Sequence, residues 1–325
     1  MMRPHRQLQG LETMRRLIII VLSLLFAAPF VADGAAPEAN AQKAVLVTGA
    51  SSGIGRKITE RLAADGHFVY AGARKASDLQ ALAGIKNVQP VRLDVTSAED
   101  IAAAVDTVTK GGRGLHGLVN NAGIGTLGPL VSMKPEEFDL TMAVNVHGPY
   151  LVTRAFAPLI VAQKGRIITT GSISGILAGK GSGAYSMSKH AIEAFTDALA
   201  ADMEPLGVHV SVVEPGNYNS EISKNAIERV GAGEVERIGA NVQMADRSKY
   251  KEPDEVAAAV VHALFDPNPK RRYMVVPNER EAEVTIRKQI AQLAQLNEGH
   301  LYTYDREALI KMLDEALASS RPRTK

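Results

Sequence analysis

Tyr185 and Lys189 stand four residues apart at the start of a helical run, Ala184 to Glu204. On a helix that spacing brings two side chains to one face, with Cβ atoms about 5–6 Å apart. A phenol ordinarily ionises near pH ~10, too high for ready proton exchange at neutrality. An ammonium close by favours the phenolate and lowers that value. The pair can therefore make a general acid/base from a poor one. Alone, the spacing describes a solvated surface pair equally well. Its neighbours give it weight. The strand Ile167 to Ser172 ends in Gly171-Ser172, and the strand at Leu118-Val119 runs into Asn120-Asn121-Ala122-Gly123. Asn145 lies in Val144-Asn145-Val146, in the next helical region. Functional residues of open parallel sheets collect at the carboxyl ends of strands. The bland reading of the serine and each asparagine is a turn or cap.

A second constellation precedes these. Residues 45 to 55 read V-L-V-T-G-A-S-S-G-I-G, a strand running into Thr48 and then Gly49, Gly53 and Gly55 at the entry to a helix. Glycine permits the tight turn and a close approach of backbone to ligand. A helix N-terminus favours a phosphate there. The spacing is G-x-x-x-G-x-G rather than the general G-x-G-x-x-G, but the mechanism is that of a dinucleotide-binding loop. The second strand then selects the cofactor. It runs Tyr70-Ala71-Gly72-Ala73 into Arg74-Lys75, with no carboxylate where NAD would want one. Two cations suit the 2′-phosphate of NADP, so NADP(H) is expected over NAD(H).

The elements that must position these residues follow from hydrophobic patterning. Short apolar runs begin at Ala44, His67, Val88, Leu115, Arg166, Val208 and Tyr273. They are mostly continuous rather than alternating, as in strands covered on both faces. Helical stretches such as Arg56 to Asp65 and Ala98 to Val108 lie between them, the second preceded by a capping-box signal, Thr96 with Glu99. The fold expected is α/β, a Rossmann-type doubly wound seven-stranded parallel sheet in one domain. Asn217 to Glu252 is long for a connection and reads as a partly helical flap. Glu279 to Leu317 reads as two further helices, with Asp305 as an N-cap for the second. The bland reading of this extension is a hairpin covering the domain edge, and an amphipathic partner surface is the alternative.

Jointly the motifs resemble the short-chain dehydrogenase/reductase family. The residues that carry the likeness are Thr48-Gly49-Ala50-Ser51-Ser52-Gly53-Ile54-Gly55, Asp94, Asn120-Asn121-Ala122-Gly123, Asn145, Ser172, Tyr185-Ser186-Met187-Ser188-Lys189 and Pro215-Gly216. They span roughly residues 43–278, in family order. Ser220 stands where the family usually has threonine. The resemblance implies an NADP(H)-dependent oxidoreductase interconverting a carbonyl compound and an alcohol. Tyr185 would protonate the carbonyl oxygen, Ser172 would hydrogen-bond it, Lys189 would hold the nicotinamide ribose and depress the tyrosine, and Asn145 would orient a water. Asp94, with Val95 beside it, would meet the adenine. Asn121, Ala122 and Gly123 would line the cofactor cleft together with the glycine loop, Arg74, Pro215, Gly216 and Ser220. A homodimer or homotetramer is implied, pairing through the fourth and fifth helices, the latter being Ala184 to Glu204. A non-catalytic NADP-binding sensor on the same fold is the alternative, and loss of the tyrosine or lysine would favour it.

Composition fits this reading and excludes others. The 325 residues carry 37 basic and 35 acidic side chains, a net charge of +2, with 46% hydrophobic residues. That balance leaves no nucleic-acid footprint. The absence of cysteine excludes disulfide scaffolds, thiolate metal sites and cysteine nucleophiles, and no metal is expected. Residues 1–41 differ from the rest. Arg15-Arg16 precede an uncharged run, residues 17–32, and Ala39-Asn40-Ala41 follows. This reads as a secretory signal leading to an exported protein. The alternatives are a membrane anchor with a cytoplasmic domain and twin-arginine export. The domains expected are thus a leader (1–41), a dehydrogenase domain (42–278) and a helical extension (279–325). The small-molecule substrate would lie between Leu177–Gly183, the flap and the extension, and the flap's Ile227, Val230, Val235, Ile238, Val242 and Met244 suggest a medium-sized apolar ketone.

Overall fold

A computed structural model of the chain describes residues 42–237 and 246–320. Strand β1 (Ala44–Val47) is wholly buried and leads into helix α1 (Gly53–Ala64). There follow β2 (Phe68–Ala73), α2 (Ala76–Ala83), β3 (Val88–Arg92), α3 (Ala98–Lys110) and β4 (Gly117–Asn120). Helix α4 (Pro135–Met142) passes through a π turn, Ala143–His147, into α5 (Gly148–Ala162). Then come β5 (Arg166–Thr170), α6 (Gly183–Met203) and β6 (His209–Pro215). The flap forms α7 (Ile222–Val230) and α8 (Ala232–Arg237). Helix α9 (Asp254–Phe265), β7 (Arg272–Val275), α10 (Glu279–Leu296) and α11 (Arg306–Ser320) complete the order.

The seven strands form one parallel sheet in the order β3-β2-β1-β4-β5-β6-β7. The doubly wound parallel sheet is the one the strand–helix alternation called for. Because successive strand residues face opposite ways, two cores result. Leu46, Leu118, Ile167 and Val210 meet Phe156 and Ile160 of α5 on one face. Val45, Val47, Val119, Ile168 and Val213 meet Ile58 and Leu62 of α1 and Val260 and Leu264 of α9 on the other. The order reverses between β1 and β4, and ligands of such sheets bind outside the carboxyl ends at that crevice.

Several local details depart from the sequence reading. The cap of α3 falls one residue later than Thr96: Ser97 Oγ accepts the Asp100 N–H at 3.1 Å. Thr96 is occupied elsewhere, donating its N–H and hydroxyl to Asp94 at 2.9 and 2.7 Å. Asp305 does cap α11, accepting from Ala308 N–H at 2.8 Å. The extension does not lie over the domain edge along its length. Near its start, α10 is fixed by Glu281 and the fully buried Thr285, but Ile286, Ile290 and Leu293 further along are exposed. Residues 1–41, with the expected leader, and Ile238, Val242 and Met244 lie outside the described residues. Among the described residues no helix is long and apolar enough to cross a membrane.

Candidate active site

The loop after β1 is tied to the loop after β4. Thr48 Oγ accepts the N–H groups of Asn121 and Ala122 at 2.9 and 3.0 Å. In return, Asn121 Nδ2 donates to the carbonyls of Thr48 and Gly49 at 3.1 and 3.2 Å. The glycines are required by this closeness. A Cβ on Gly55 would lie 2.1 Å from Gly49 O and 2.4 Å from Asn121 Nδ2. Gly49 adopts φ +64° against the backbone of Ala122, and Gly53 φ +51° opposite Ser220. Ser52 begins α1 without capping it through its side chain. The first N–H groups of α1, with the positive end of its dipole, thus stand at the cleft ready for an anion.

The cleft spans about 1160 Å³ and runs from this loop past Arg74, Asp94 and Val95 at one end to Ser172 and Tyr185 at the other. That exceeds the usual several hundred Å³ of a drug-sized pocket and has room for a dinucleotide together with a substrate. Arg74 reaches Asp94 at 3.7 Å with its side chain largely exposed. Burial pushes the Asp94 carboxyl up, but the hydrogen bonds from Thr96 and the Arg74 charge outweigh it and hold it low. Ser51, Ser52, Ile54, Ala122, Gly123, Pro215, Gly216 and Ser220 line the same cleft. Pro215 ends β6, and the turn after it is held by the extension, with Glu281 accepting Asn217 N–H at 2.8 Å.

Of the four expected catalytic side chains, Ser172, Tyr185 and Lys189 line the cleft together, and Asn145 is not among its lining residues. Ser172 follows β5 and opens a short turn, its Oγ accepting Ser174 N–H at 3.1 Å. Tyr185 and Lys189 project from the first turns of α6. Lys189 is buried and donates from Nζ to Thr170 O at 2.8 Å. Burial brings its ammonium down to about 8, with Glu193 opposing. The expected depression of the phenol by Lys189 is not what the geometry supports. Burial raises the Tyr185 pKa, and the groups that resist are the Ser172 hydroxyl and the Arg247 charge. The ammonium is anchored at Thr170 and lies 5.7 Å from the ring centroid.

Asn145 sits in the π turn, a distortion that recurs at functional sites. Its Oδ1 accepts Ile124 N–H at 2.8 Å, and its Nδ2 donates to Ile124 O at 2.9 Å and Ser188 Oγ at 3.0 Å. Ser188 in turn donates to Tyr185 O at 2.7 Å. Both amide donors are spent, so the side chain braces the loop after β4 against the first turn of α6. Gly123 leaves room there: a Cβ on it would lie 3.4 Å from Asn145 Oδ1 and 3.9 Å from Lys189 Nζ.

Sequence reasoning missed what lies behind Lys189. Glu193 is one turn further along α6, and its carboxyl fills the space left by two glycines, with Oε1 3.0 Å from a Cβ built on either Gly171 or Gly175. It faces Glu214 of β6. Burial pushes both carboxyls up, Glu214 to about 8, where it keeps a proton and donates it to Glu193. Arg272 balances the remaining charge, 3.2 Å from Glu193 and 3.7 Å from Glu214. The four-residue step from Lys189 to Glu193 was a readable signal, as was a carboxylate following the apolar run Val210–Val213. Folded, Glu214 holds its proton to about pH 8 against an ordinary 4.5. The folded protein binds the extra proton between those values, so stability falls as pH rises through that window. Glu214→Gln should remove the slope, gaining about 1–2 kcal/mol on the parent between pH 5 and 9 after allowing for relaxation. Thermal melts of both proteins across that range check it; a constant offset contradicts the shared proton.

A family model described as short chain dehydrogenase matches residues 43–231. The chain belongs to this oxidoreductase family. It is 34% identical over 285 residues to the mitochondrial D-beta-hydroxybutyrate dehydrogenase of Bos taurus, covering 77% of this chain and 83% of that one. A short chain dehydrogenase/reductase from Burkholderia phymatum, solved with NAD, superposes with TM-score 0.68 at 25% identity, covering 81% of this chain and 98% of that one. One from Burkholderia cenocepacia J2315, solved with NADP, gives TM-score 0.63 at 26% identity, covering 78% and 95%.

Proposed function

We propose that this protein is an NADP(H)-dependent carbonyl reductase or alcohol dehydrogenase. The observation that carries the reading is the convergence of Ser172, Tyr185 and Lys189 at one end of a cleft whose other end is a glycine-built phosphate cradle. The cradle fits a dinucleotide because no Cβ can be accommodated at Gly55 and the N-terminus of α1 is left for phosphate. When bound, the nicotinamide supplies or accepts the hydride. The protein's own groups do the rest. Ser172 donates to the carbonyl oxygen and fixes its position beside Tyr185. Tyr185, raised in pKa by burial, is protonated at neutrality and gives its proton to that oxygen, or recovers it in the reverse direction. Lys189 holds the ribose and stabilises the phenolate as it forms. Asn145 keeps the Tyr185 turn in register with the cofactor loop. Thr48 and Asn121 lock that loop, and Asp94 and Val95 bound the adenine site.

Preference for NADP(H) rests on the end of β2, where Arg74 and Lys75 follow Ala73 and no carboxylate intervenes. The family neighbours bind either NAD or NADP, so the local charge decides. Arg74→Ala should raise KM for NADPH about tenfold and leave that for NADH within about twofold, the cost of one charge-assisted phosphate contact. Initial rates with both cofactors check it; equal losses with both would refute the NADP assignment. Assembly as a homodimer or homotetramer fits the exposed Tyr150 of α5 and Met187 of α6. Export or membrane anchoring through residues 17–32 rests on the leader sequence. Turnover of a carbonyl panel by the purified full-length chain with NADPH tests the activity itself.

A further inference from the structure

At the substrate end the cleft is lined by Lys180, Arg229 and Arg247 together with Glu221 and Glu228. Two flap cations are spent: Arg229 pairs with Glu137 at 2.9 Å and donates to Gly125 O, and Lys224 pairs with Glu221 at 3.1 Å. Arg247 is different. Among the described residues it has no carboxylate within ion-pair reach, and its Nε is buried with no hydrogen-bond partner. Its charged group meets the Tyr250 ring, 5.7 Å from the centroid. Yet Arg247 lines the same cleft as Ser172 and Tyr185, and its charge is felt at the Tyr185 phenol. Lys180, on the loop leading into α6, lines that end too and has no ion-pair partner among the described residues.

Nε itself is shielded from a ligand, but the side chain as a whole is only part-buried and lines the cleft. The planar fork of a guanidinium matches a carboxylate. The dinucleotide phosphates are the other anion available, but their cradle lies at the start of α1, opposite Ser220.

We infer that Arg247 anchors a carboxylate on the substrate, so that the enzyme acts on oxo acids and hydroxy acids in preference to neutral ketones. This rests on the carbonyl-reductase reading above and replaces the apolar ketone suggested by the flap's hydrophobic residues. The carboxylate is held by Arg247 unchanged, while the carbonyl carbon takes the hydride and the carbonyl oxygen takes the Tyr185 proton. The chain length between the two groups sets which acids fit.

The test pairs 2-, 3- and 4-oxo acids with methyl ketones of equal length, using the full-length protein and NADPH. At least one oxo acid should exceed its ketone in kcat/KM by about 10–100-fold, the range of a charge-assisted contact. Arg247→Ala should erase that advantage mainly through KM, cost the oxo acid at least about tenfold more than the ketone in kcat/KM, leave the NADPH Kd within about twofold, and be partly rescued by Arg247→Lys. Equal loss on acid and ketone, or a weakened NADPH Kd, overturns the assignment, as does a wild-type preference for ketones. If no carbonyl is reduced, the carbonyl-reductase reading fails, and calorimetric titration into the NADP-loaded protein decides Arg247 separately. An oxo acid binding where its ketone does not, with the difference lost in Arg247→Ala, supports the anchor; binding of neither, or of both alike, overturns it.

Discussion

Tyr185→Phe should lower kcat for carbonyl reduction by about 10²–10⁴-fold, the usual worth of a positioned general acid. The substitution removes one oxygen and keeps the ring, which is part-buried at the head of α6 near Ser172. The NADPH Kd should change by less than about twofold, because the cofactor cradle is built from the β1 and β4 loops rather than from this phenol. The loss therefore belongs to the chemical step, and single-turnover rates with saturating NADPH will show it. The pH profile adds a second readout. With the phenol raised by burial, reduction should run at full rate through neutrality and fall only on the alkaline side, where Tyr185 loses the proton it must give. Unchanged turnover in the phenylalanine variant would remove Tyr185 from the reaction.

Gly55→Ala should be nearly as damaging at the other end of the cleft. The new Cβ would sit 2.1 Å from Gly49 O, a backbone atom that cannot swing away as a side-chain end can. It would also press on Asn121 Nδ2, whose bonds to Thr48 and Gly49 tie the two loops together. Overpacking of this kind costs about 1–3 kcal/mol, with a melting temperature several degrees lower. Because the displaced backbone is the phosphate cradle, the NADPH Kd should rise at least about 100-fold. Fluorescence titration of NADPH against the folded variant measures this. Unaltered affinity would mean that phosphate does not rest on this loop.

What the sequence made legible follows from how local each signal is. The seven strands could be read because both faces of the sheet are covered, so Val45 to Val47 or Ile167 to Ile168 need no alternation. The Tyr185–Lys189 pair could be read because it lies within one turn of α6. The capping of α3 was misplaced by one residue because Thr96 is drawn to Asp94, a competition between hydroxyl partners that spacing does not resolve. The part played by Asn145 was hidden for a different reason: its partners Ile124 and Ser188 lie 21 and 43 residues away, and the π turn that aims it leaves no compositional trace. Arg247 was equally silent, one charge among many in the flap until the fold brought it to the cleft that Tyr185 also lines. The resistance of the phenol to ionisation was also beyond sequence, since it depends on burial outweighing the Ser172 hydroxyl and the Arg247 charge, while the ammonium of Lys189 is held by Thr170.

The central claim is hydride transfer at this cleft, and isotope labelling tests it most directly. The full-length protein is incubated with NADPH deuterated at the transferring position of the nicotinamide and with a panel of oxo acids and ketones. The expected result is an alcohol product one mass unit heavier, with deuterium on the former carbonyl carbon, formed by the wild type and not by Tyr185→Phe. Product without deuterium at that carbon, or equal labelled product from both proteins, would contradict it.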